Sequence, residues 1–367
     1  MVGVGDSLSR IVVFGAGAIG GLTVAHLTRA GEDVVVVDPW FKNVNAINRR
    51  GLHMTRPGDD FIAEVRALQL DELAQAGPID VLLLALKSYD TEWAIRYAAP
   101  YLSPNGFVAS LQNGVNEERI AKLVGKERTV GAVTHLGGYC VGPGEIEGTT
   151  DPSWAAFSVG ELDGHVSHRA AELTERLDAV GKCDVTSNVW GGLWAKLTLN
   201  VMTNALAGLT GLTTPKLWTN PAALDLLIHL AGETLLAAES RGISVKELHP
   251  PGAATSLMTT RVIAAHQGDT EAFEEVCQHF AATAAARSGK RENKSSLLQD
   301  VLRGRRTEVD YLNGYVVEVA AESGAQAPVN RAVVRMVHEL EEGIIEQGAD
   351  NLERLMSRLG EAERTTK

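Results

Sequence analysis

Short runs of aliphatic residues recur along the first 130 positions of the chain, and each run ends at glycine or polar residues. They lie at 11–14 (IVVF), 34–37 (VVVV), 81–86 (VLLLAL), 107–111 (FVASL) and 129–133 (TVGAV). Continuous apolar runs of this length are typical of strands buried on both faces of a parallel sheet. Helical patterns separate them, the first at 18–29 and ending before Gly31. This alternation predicts an α/β fold with a doubly wound sheet.

The hydrophobic pattern changes near residue 187. Segments with helical periodicity dominate the rest of the chain, at 189–207, 221–241, 253–288, 294–323 and 328–359. No later strand run has comparable strength, which indicates a separate, mainly helical domain. We therefore expect an α/β domain at 9–187 and a helical substrate and dimerisation domain at 188–348. The charged residues 349–367 are expected to form an exposed tail.

The composition restricts what the protein binds. The chain of 367 residues is 45% apolar and 22% charged, with a net charge of −12, which argues against nucleic acid or an anionic membrane as a general partner. Its three cysteines are far apart and show no metal-ligand spacing, so we expect no disulfide and no metal site. We see no signal peptide and no uncharged run of membrane-spanning length, and expect a cytoplasmic protein.

A glycine-rich loop directly follows the first apolar run, and an amphipathic helix follows the loop. In Gly15-Ala-Gly17-Ala18-Ile19-Gly20, the first glycine allows a tight turn and Gly17 allows close approach of a pyrophosphate. Gly20 lets the helix pack closely on the strand, and the helix N-terminus faces the phosphates. The alternative is a plain glycine-rich turn. The strand–loop–helix context favours a dinucleotide site in a Rossmann-like domain, with Ala18 and Ile19 among its contacts.

An acidic residue, Asp38, ends the second apolar run. A carboxylate at this position accepts the ribose hydroxyls of NAD and repels the 2′-phosphate of NADP. The alternative is an ordinary turn residue, because an Asp-Pro pair is a common turn start. Lys42, Arg49 and Arg50 follow closely and offer cations for a phosphate. We expect NAD(H) to be favoured over NADP(H).

Two further polar residues follow predicted strands. Lys87 comes after VLLLAL, and Asn113 comes after the next run, in Leu-Gln-Asn-Gly. In an open α/β sheet the ligand lies beyond the carboxyl ends of the strands, so both side chains are expected at the cofactor. A solvated lysine and an Asn-Gly turn are the alternatives, and the occurrence of both residues on consecutive strands favours the binding role.

The apolar segment WAKLTLNVMTN, residues 194–204, carries three polar residues in one line. Lys196, Asn200 and Asn204 recur at every fourth position and share one helix face. Such a line provides an ammonium group, which can donate a proton, and two amides, which can hold a polar ligand by hydrogen bonds. The alternative is a lysine that reaches solvent beside locally bonded amides. His135 and His229 are rival proton donors that lie in no recognised motif.

Taken together, these motifs resemble those of the ketopantoate reductase (2-dehydropantoate 2-reductase) family. The matching segments run in order along most of the chain: GAGAIGG (15–21), LALKSYD (84–90), LQNGVNEE (111–118), WAKLTLNVMTNAL (194–206), SSLLQDVLRGRRTEVDYLNG (295–314) and GAQAPVNR (324–331). The block at 295–314 is far more specific than the glycine loop.

The resemblance implies hydride transfer from a reduced nicotinamide to the ketone of a 2-oxo acid, as in the reduction of 2-dehydropantoate to pantoate in pantothenate biosynthesis. It implies that Lys196 is the general acid and that Glu308 helps to hold the substrate and the acid. It places Lys87 and Asn113 beside the nicotinamide. The implied substrate contacts are Asn200, Asn204, Ser296 and, less directly, Glu233. We also expect a homodimer.

Two departures from the family pattern keep alternatives open. NADPH-dependent members usually carry an arginine just after the second strand, where this chain has Asp38-Pro39. The stretch between Gly242 and Lys294 is longer than the compact pattern, with an unusually polar part at 267–294, so another hydroxy acid or alcohol is an alternative substrate. A third possibility is a non-catalytic nucleotide sensor, against which the presence of both Lys196 and Glu308 argues.

Overall fold

A computed structural model describes residues 10–249, 255–287 and 294–365. The chain divides into two compact units, 1–190 and 191–367. The first unit is an α/β unit and the second is mainly helical, which confirms the predicted fold class. The division lies three residues beyond the expected boundary at 187, just inside a long helix.

Unit 1 is built around an eight-stranded sheet with the order β12-β11-β8-β7-β6-β1-β2-β5. The six strands from β8 to β5 are parallel, and β11 runs antiparallel to β8. A second, four-stranded sheet has the order β4-β3-β10-β9. The strands are β1 (Ile11–Phe14), β2 (Val34–Val37), β3 (Leu52–Arg56), β4 (Asp59–Ala63), β5 (Arg66–Leu68), β6 (Ile79–Leu84), β7 (Leu102–Ser110), β8 (Thr129–Thr134), β9 (Gly138–Gly142), β10 (Glu145–Gly148), β11 (Phe157–Glu161) and β12 (Cys183–Val185). The helices are α1 (Ala18–Arg29), α2 (Phe41–Arg50), α3 (Thr91–Ala98), α4 (Glu117–Val124) and α5 (His168–Leu177).

The central strands are apolar throughout because both faces of the sheet are covered. In β1, Ile11 and Val13 pack into the core that includes residues of α1, whereas Val12 and Phe14 pack into the core that includes residues of α3. All four side chains are fully buried. The five predicted runs correspond to β1, β2, β6, β7 and β8, and the helix predicted at 18–29 is α1.

In the part that the structure describes, unit 2 consists of helices and one pair of antiparallel strands with two residues each. Its elements are α6 (Val189–Thr210), α7 (Thr214–Trp218), α8 (Pro221–Ser240), β13 (Glu247–Leu248), β14 (Leu257–Met258), α9 (Thr259–His266), α10 (Thr270–Ala286), α11 (Ser296–Leu302), α12 (Asn313–Glu322), α13 (Pro328–Glu341) and α14 (Asn351–Thr365). α8 is long and apolar enough to cross a membrane, but 67% of its most apolar stretch is buried inside the fold. Its hydropathy is that of a core helix.

The charged segment 349–367, which we expected to be an exposed tail, forms an amphipathic helix over most of its length. Residues 351–365 form α14, in which Leu352 and Leu355 are buried. Arg358 forms a bidentate ion pair with Glu339 of α13 at 2.8 Å. The charges lie on the outer face of an amphipathic helix, and apolar residues at helical spacing bury the other face. Residues 366–367 lie outside the described part.

Buried amides and one carboxylate connect four helices of unit 2. Asn313 of α12 donates from Nδ2 to the carbonyl of Val201 in α6 (3.3 Å) and to Oδ1 of Asn330 in α13 (3.0 Å). The amide of Asn330 donates in turn to Glu233 of α8 (2.7 Å). The Glu233 carboxylate also accepts the backbone N–H groups of Val329 and Asn330, both at 2.9 Å. It therefore caps the N-terminus of α13.

Removal of this carboxylate is expected to destabilise unit 2. Glu233→Ala leaves three buried N–H donors without their acceptor, which costs on the order of 3 kcal/mol of unfolding free energy or more. Denaturant-induced unfolding of the purified variant checks the value. Glu239→Ala, at an exposed position on the same helix, is the matched control and should change the unfolding free energy little. Equal stability of the two variants would contradict the capping role.

Candidate active site

The glycine loop has the geometry that a pyrophosphate requires. Gly15 adopts φ +106°, and its N–H donates to the carbonyl of Val37 at 2.7 Å. A Cβ on Gly20 would lie 1.8 Å from the carbonyl oxygen of Gly15, whereas a Cβ on Gly17 would meet no described atom within 4 Å. The loop is therefore closed toward the sheet at Gly20 and open at Gly17.

The N-terminus of α1 offers backbone N–H groups to an anion. Ala18 and Ile19 occupy its first turn, and within the described residues no side chain caps this end and no acid lies in the turn. The first N–H groups of a helix carry the positive end of its dipole. An anion beside Gly17 would therefore be stabilised, so the residues present fit a dinucleotide.

Asp38 is buried at the end of β2 and holds the glycine loop. Its Oδ2 accepts the backbone N–H of Ala16 at 2.5 Å, and its Oδ1 accepts that of Trp40 at 2.7 Å. Burial raises the pKa of Asp38, and the hydrogen bonds from Ala16, Trp40 and Asn43 act in the opposite direction. Each carboxylate oxygen has a second acceptor position, so these contacts leave acceptor capacity for ribose hydroxyls.

The three cations that follow Asp38 lie on α2. Arg50 donates to the carbonyl of Pro143 at 2.6 Å and pairs with Glu145 at 3.0 Å, so it braces the β9–β10 hairpin. Lys42 and Arg49 are exposed on the same helix.

The loops after β6 and β7 are joined by side-chain hydrogen bonds. Gln112 donates from Nε2 to the carbonyls of Leu86 and Lys87, both at 3.0 Å. Ser88 donates from Oγ to the carbonyl of Asn113 at 2.9 Å. The structure thus brings together the loops that carry the two predicted cofactor residues, Lys87 and Asn113.

Sequence reasoning missed the residues that make this junction, Gln112, Ser88 and Asn116. Asn116 donates from Nδ2 both to Ser88 Oγ (3.2 Å) and to the carbonyl of Asn113 (2.9 Å). The signal was the density of amides in Leu-Gln-Asn-Gly-Val-Asn, which exceeds what one turn needs. The junction fixes the backbone from which Lys87 and Asn113 project.

The polar line on α6 lies within unit 2 as the spacing predicted. Lys196 and Asn200 are half-buried, and Asn204 is buried. Burial lowers the pKa of Lys196 to about 8, and the nearby charge of Glu308 acts to raise it. Glu308 is itself buried, just before the 3-10 turn Val309–Tyr311. Glu308 therefore lies close enough to Lys196 for its charge to act on the ammonium group.

The other end of the line meets α11. Asn204 donates from Nδ2 to Ser296 Oγ at 3.4 Å, a long hydrogen bond. Asn204 and Lys196 are eight residues apart, which is roughly 12 Å along a helix. The line thus has a charged end at Lys196 and a purely polar end at Asn204 and Ser296.

Glu233 has a structural role in this fold, and the substrate-binding role that the resemblance implied stays a prediction. Both of its oxygens accept N–H groups at the start of α13, and the side chain is buried among helices. Its carboxylate is a structural cap in this fold.

The two rival histidines have partners of their own. His135 follows β8 in unit 1, and its Nε2 lies 3.3 Å from Ser158 Oγ. His229 lies on α8, with Nδ1 2.8 Å from His266 Nδ1 and Nε2 3.5 Å from Asp225. Within the described residues, no three His, Cys, Asp or Glu side chains form a group that could hold a metal ion.

Comparison with known proteins shows similarity to ketopantoate reductases in both units. The profile "Ketopantoate reductase PanE/ApbA" matches residues 11–164, and the corresponding C-terminal profile matches 188–341. The 2-dehydropantoate 2-reductase of Archaeoglobus fulgidus is 30% identical over 92% of this chain and 99% of its own length. That of Pyrococcus horikoshii is 28% identical over 88% and 94%.

Solved structures share the fold. A PanE/ApbA family ketopantoate reductase from Ralstonia eutropha superposes with a TM-score of 0.72 at 25% identity, over 91% of this chain and 99% of that one. D-mandelate dehydrogenase, solved with NADH and anilino(oxo)acetate, superposes with a TM-score of 0.75 at 20% identity, over 91% of this chain and 98% of that one. The dimeric ketopantoate reductase of Staphylococcus aureus superposes with a TM-score of 0.66 at 14% identity, over 91% of this chain and 99% of that one. Because the two profiles together cover most of the chain, it belongs to the ketopantoate reductase family.

Proposed function

We propose that this chain catalyses the reduction of a 2-oxo acid by a nicotinamide cofactor, with 2-dehydropantoate as the substrate and pantoate as the product. The curated relatives with this activity in their names align over nearly the whole chain, which supports the proposal. The observation that carries it is the polar line of α6, in which Asn204 bonds Ser296 and the half-buried Lys196 lies within the electrostatic influence of the buried Glu308.

Lys196 is proposed as the proton donor. The bound nicotinamide would supply the hydride, and the ketone oxygen would then carry negative charge. An ammonium group stabilises that charge and then protonates the oxygen. A pKa of about 8 suits this task, because a general acid works best when its pKa lies near the working pH. Glu308 is proposed to keep Lys196 protonated in a partly dehydrated site.

The amides are proposed to orient the substrate. Asn200 lies one turn beyond Lys196 on the same face, and Asn204 with Ser296 lies a further turn away. Amide and hydroxyl donors there can bind the carboxylate and hydroxyl oxygens of the 2-oxo acid. The order of these groups along α6 is consistent with a substrate whose ketone lies at Lys196 and whose polar tail points toward Asn200 and Asn204.

In unit 1, Lys87, Asn113 and the loop Gly15–Gly20 are proposed to bind the cofactor. We propose NAD(H) over NADP(H), because the buried Asp38 carboxylate is next to the glycine loop. A homodimer and a cytoplasmic location remain predictions.

A second candidate is a dehydrogenase of a different 2-hydroxy acid. The similarity in fold to D-mandelate dehydrogenase, a structure solved with NADH, and the acidic Asp38 favour it. Both candidates use the same groups of α6 and differ in the acid's side chain.

The Lys196 assignment is tested by turnover with 2-dehydropantoate and a panel of other 2-oxo acids. Lys196→Ala should lower kcat and kcat/KM together by about 10²–10⁴-fold on every substrate that the wild type reduces, since the lost interaction acts in the transition state. Cofactor affinity should change little. Lys196→Arg should rescue poorly, because guanidinium does not readily release a proton. Lys216→Ala, an exposed lysine of unit 2, is the control. Near-normal turnover of Lys196→Ala would exclude this donor.

The charge of Glu308 should be visible in the pH profile of reduction. A proton donor must be protonated, so kcat/KM should fall as the pH rises through the pKa of Lys196, about 8. Glu308 raises that pKa, so Glu308→Gln should move the fall to lower pH. Steady-state rates from pH 6 to 10 provide the measurement, with Glu239→Gln as control. A fall at the same pH in Glu308→Gln would show that this carboxylate does not act on the donor.

Cofactor choice depends on Asp38. The wild type should have a lower KM for NADH than for NADPH, because the carboxylate repels a 2′-phosphate. Asp38→Asn keeps the size of the side chain and an acceptor for the loop, and should change the ratio of kcat/KM for NADH to that for NADPH by about tenfold toward NADPH. The ratio is the readout, because both cofactors lose affinity if the loop relaxes. A wild type that prefers NADPH would point to Lys42 or Arg49.

A further inference from the structure

Three consecutive apolar residues are exposed directly after Asp38. Pro39 is exposed, and Trp40 and Phe41 are 37% and 63% exposed. A single exposed aromatic residue is common, but an exposed apolar run costs solubility and stability and is usually retained for binding.

The side chain of Trp40 does not cap helix α2. Trp40 occupies the N-cap position, where Ser, Thr, Asp and Asn are preferred, and no described side chain caps this end. The acceptor for the Trp40 N–H is instead Asp38 Oδ1, at 2.7 Å. A residue that breaks a local rule in this way marks a functional position.

The Trp40 backbone is fixed relative to the glycine loop. The same carboxylate that accepts the Trp40 N–H accepts the Ala16 N–H through its other oxygen. Asn43, one turn into α2, donates from Nδ2 to the carbonyl of Ala16 at 3.2 Å. Residues 38–43 therefore hold the glycine turn from two sides, and the exposed indole projects from this clamp.

We infer that Trp40 is the stacking platform for the adenine base of the cofactor, with Pro39 and Phe41 as its apolar surround. The inference rests on the proposed function, because it takes Asp38 as the acceptor for the adenosine ribose. The base is bonded to that same ribose, so it must lie beside Asp38. An indole face there excludes water from one face of the base and contributes a sequence-independent stacking interaction of the kind that aromatic residues make with nucleobases.

The inference assigns this subsite to adenine and leaves the nicotinamide half to other residues. Removal of the indole should weaken every ligand that carries the adenosine group and no ligand that lacks it. Calorimetric titration of the full-length protein with ADP-ribose, 5′-AMP and reduced nicotinamide mononucleotide separates the two halves. Trp40→Ala should weaken ADP-ribose and 5′-AMP about 10- to 100-fold, and Trp40→Phe should retain most of the affinity.

The matched control is Trp154→Ala. Trp154 is 45% exposed in unit 1 and lies just before β11, five strands from β2 in the sheet, roughly 24 Å away at the usual strand spacing. It should leave all three affinities unchanged. Proton NMR gives a direct readout, because stacking on an indole moves the adenine H2 and H8 resonances of bound ADP-ribose upfield, and Trp40→Ala should remove that shift.

Separate outcomes identify separate failures. If Trp40→Ala binds ADP-ribose as tightly as Trp154→Ala does, the stacking role is wrong although the proposed function stands. If Trp40→Ala weakens reduced nicotinamide mononucleotide equally, the indole acts on the glycine turn and the inference is also wrong. If the wild type binds neither NADH nor ADP-ribose, the proposed function itself fails. Should Trp40→Ala not fold, Trp40→Phe with a lost affinity would still overturn the inference.

Discussion

The hydrogen bond from the Asn313 amide to the Val201 carbonyl fixes the chemistry-bearing part of unit 2. Val201 follows Asn200 on α6, and Asn313 follows the short segment that carries Glu308. A buried carboxylate influences a half-buried ammonium reliably only if its backbone is held in place, because in a poorly hydrated site a small displacement changes both the attraction and the desolvation. The Asn313–Asn330–Glu233 network supplies that support, so the proximity of Lys196 and Glu308 depends on groups that hold the helices of unit 2 together.

The fold was predictable where a physical pattern is local. The strands β1, β2, β6, β7 and β8 are buried on both faces, so their apolar runs are continuous and visible in the sequence. The strands β3 and β4 were not predicted, because their sequences, LHMTR and DDFIA, are half-exposed and contain charged residues, as loop sequences do. The helices predicted at 294–323 and 328–359 each divide in two, and the partners that decide the division are distant in sequence, as with the α14 side chain of Asn351 bonded to the carbonyl of Leu209.

The site shows the same limit. The line of Lys196, Asn200 and Asn204 follows from helical spacing alone, since residues four apart share a face. Its partners Glu308 and Ser296 lie about a hundred residues away and were expected only through the family resemblance. That resemblance also placed Glu233 among the substrate contacts, because it groups the residues of a motif without saying whether they bind substrate or hold the helices. Only the structure shows which acceptor each buried donor uses. The backbone N–H groups at the start of α13 use the Glu233 carboxylate.

Asp38 shows how selectivity and architecture become inseparable in one side chain. The proposed preference for a free ribose over a 2′-phosphate rests on its charge, and its two oxygens also fix Ala16 in the glycine turn and Trp40 at the start of α2. A neutral or basic replacement removes the repulsion and at the same time releases one backbone N–H group, as in asparagine, or both where no acceptor is kept. Each released group then needs another acceptor or loses about 1–3 kcal/mol if it stays buried. A full change of cofactor in this scaffold therefore also needs a second residue that accepts these N–H groups, because the side-chain oxygen of the neighbouring Asn43 already accepts the N–H of Gly144 at 2.8 Å.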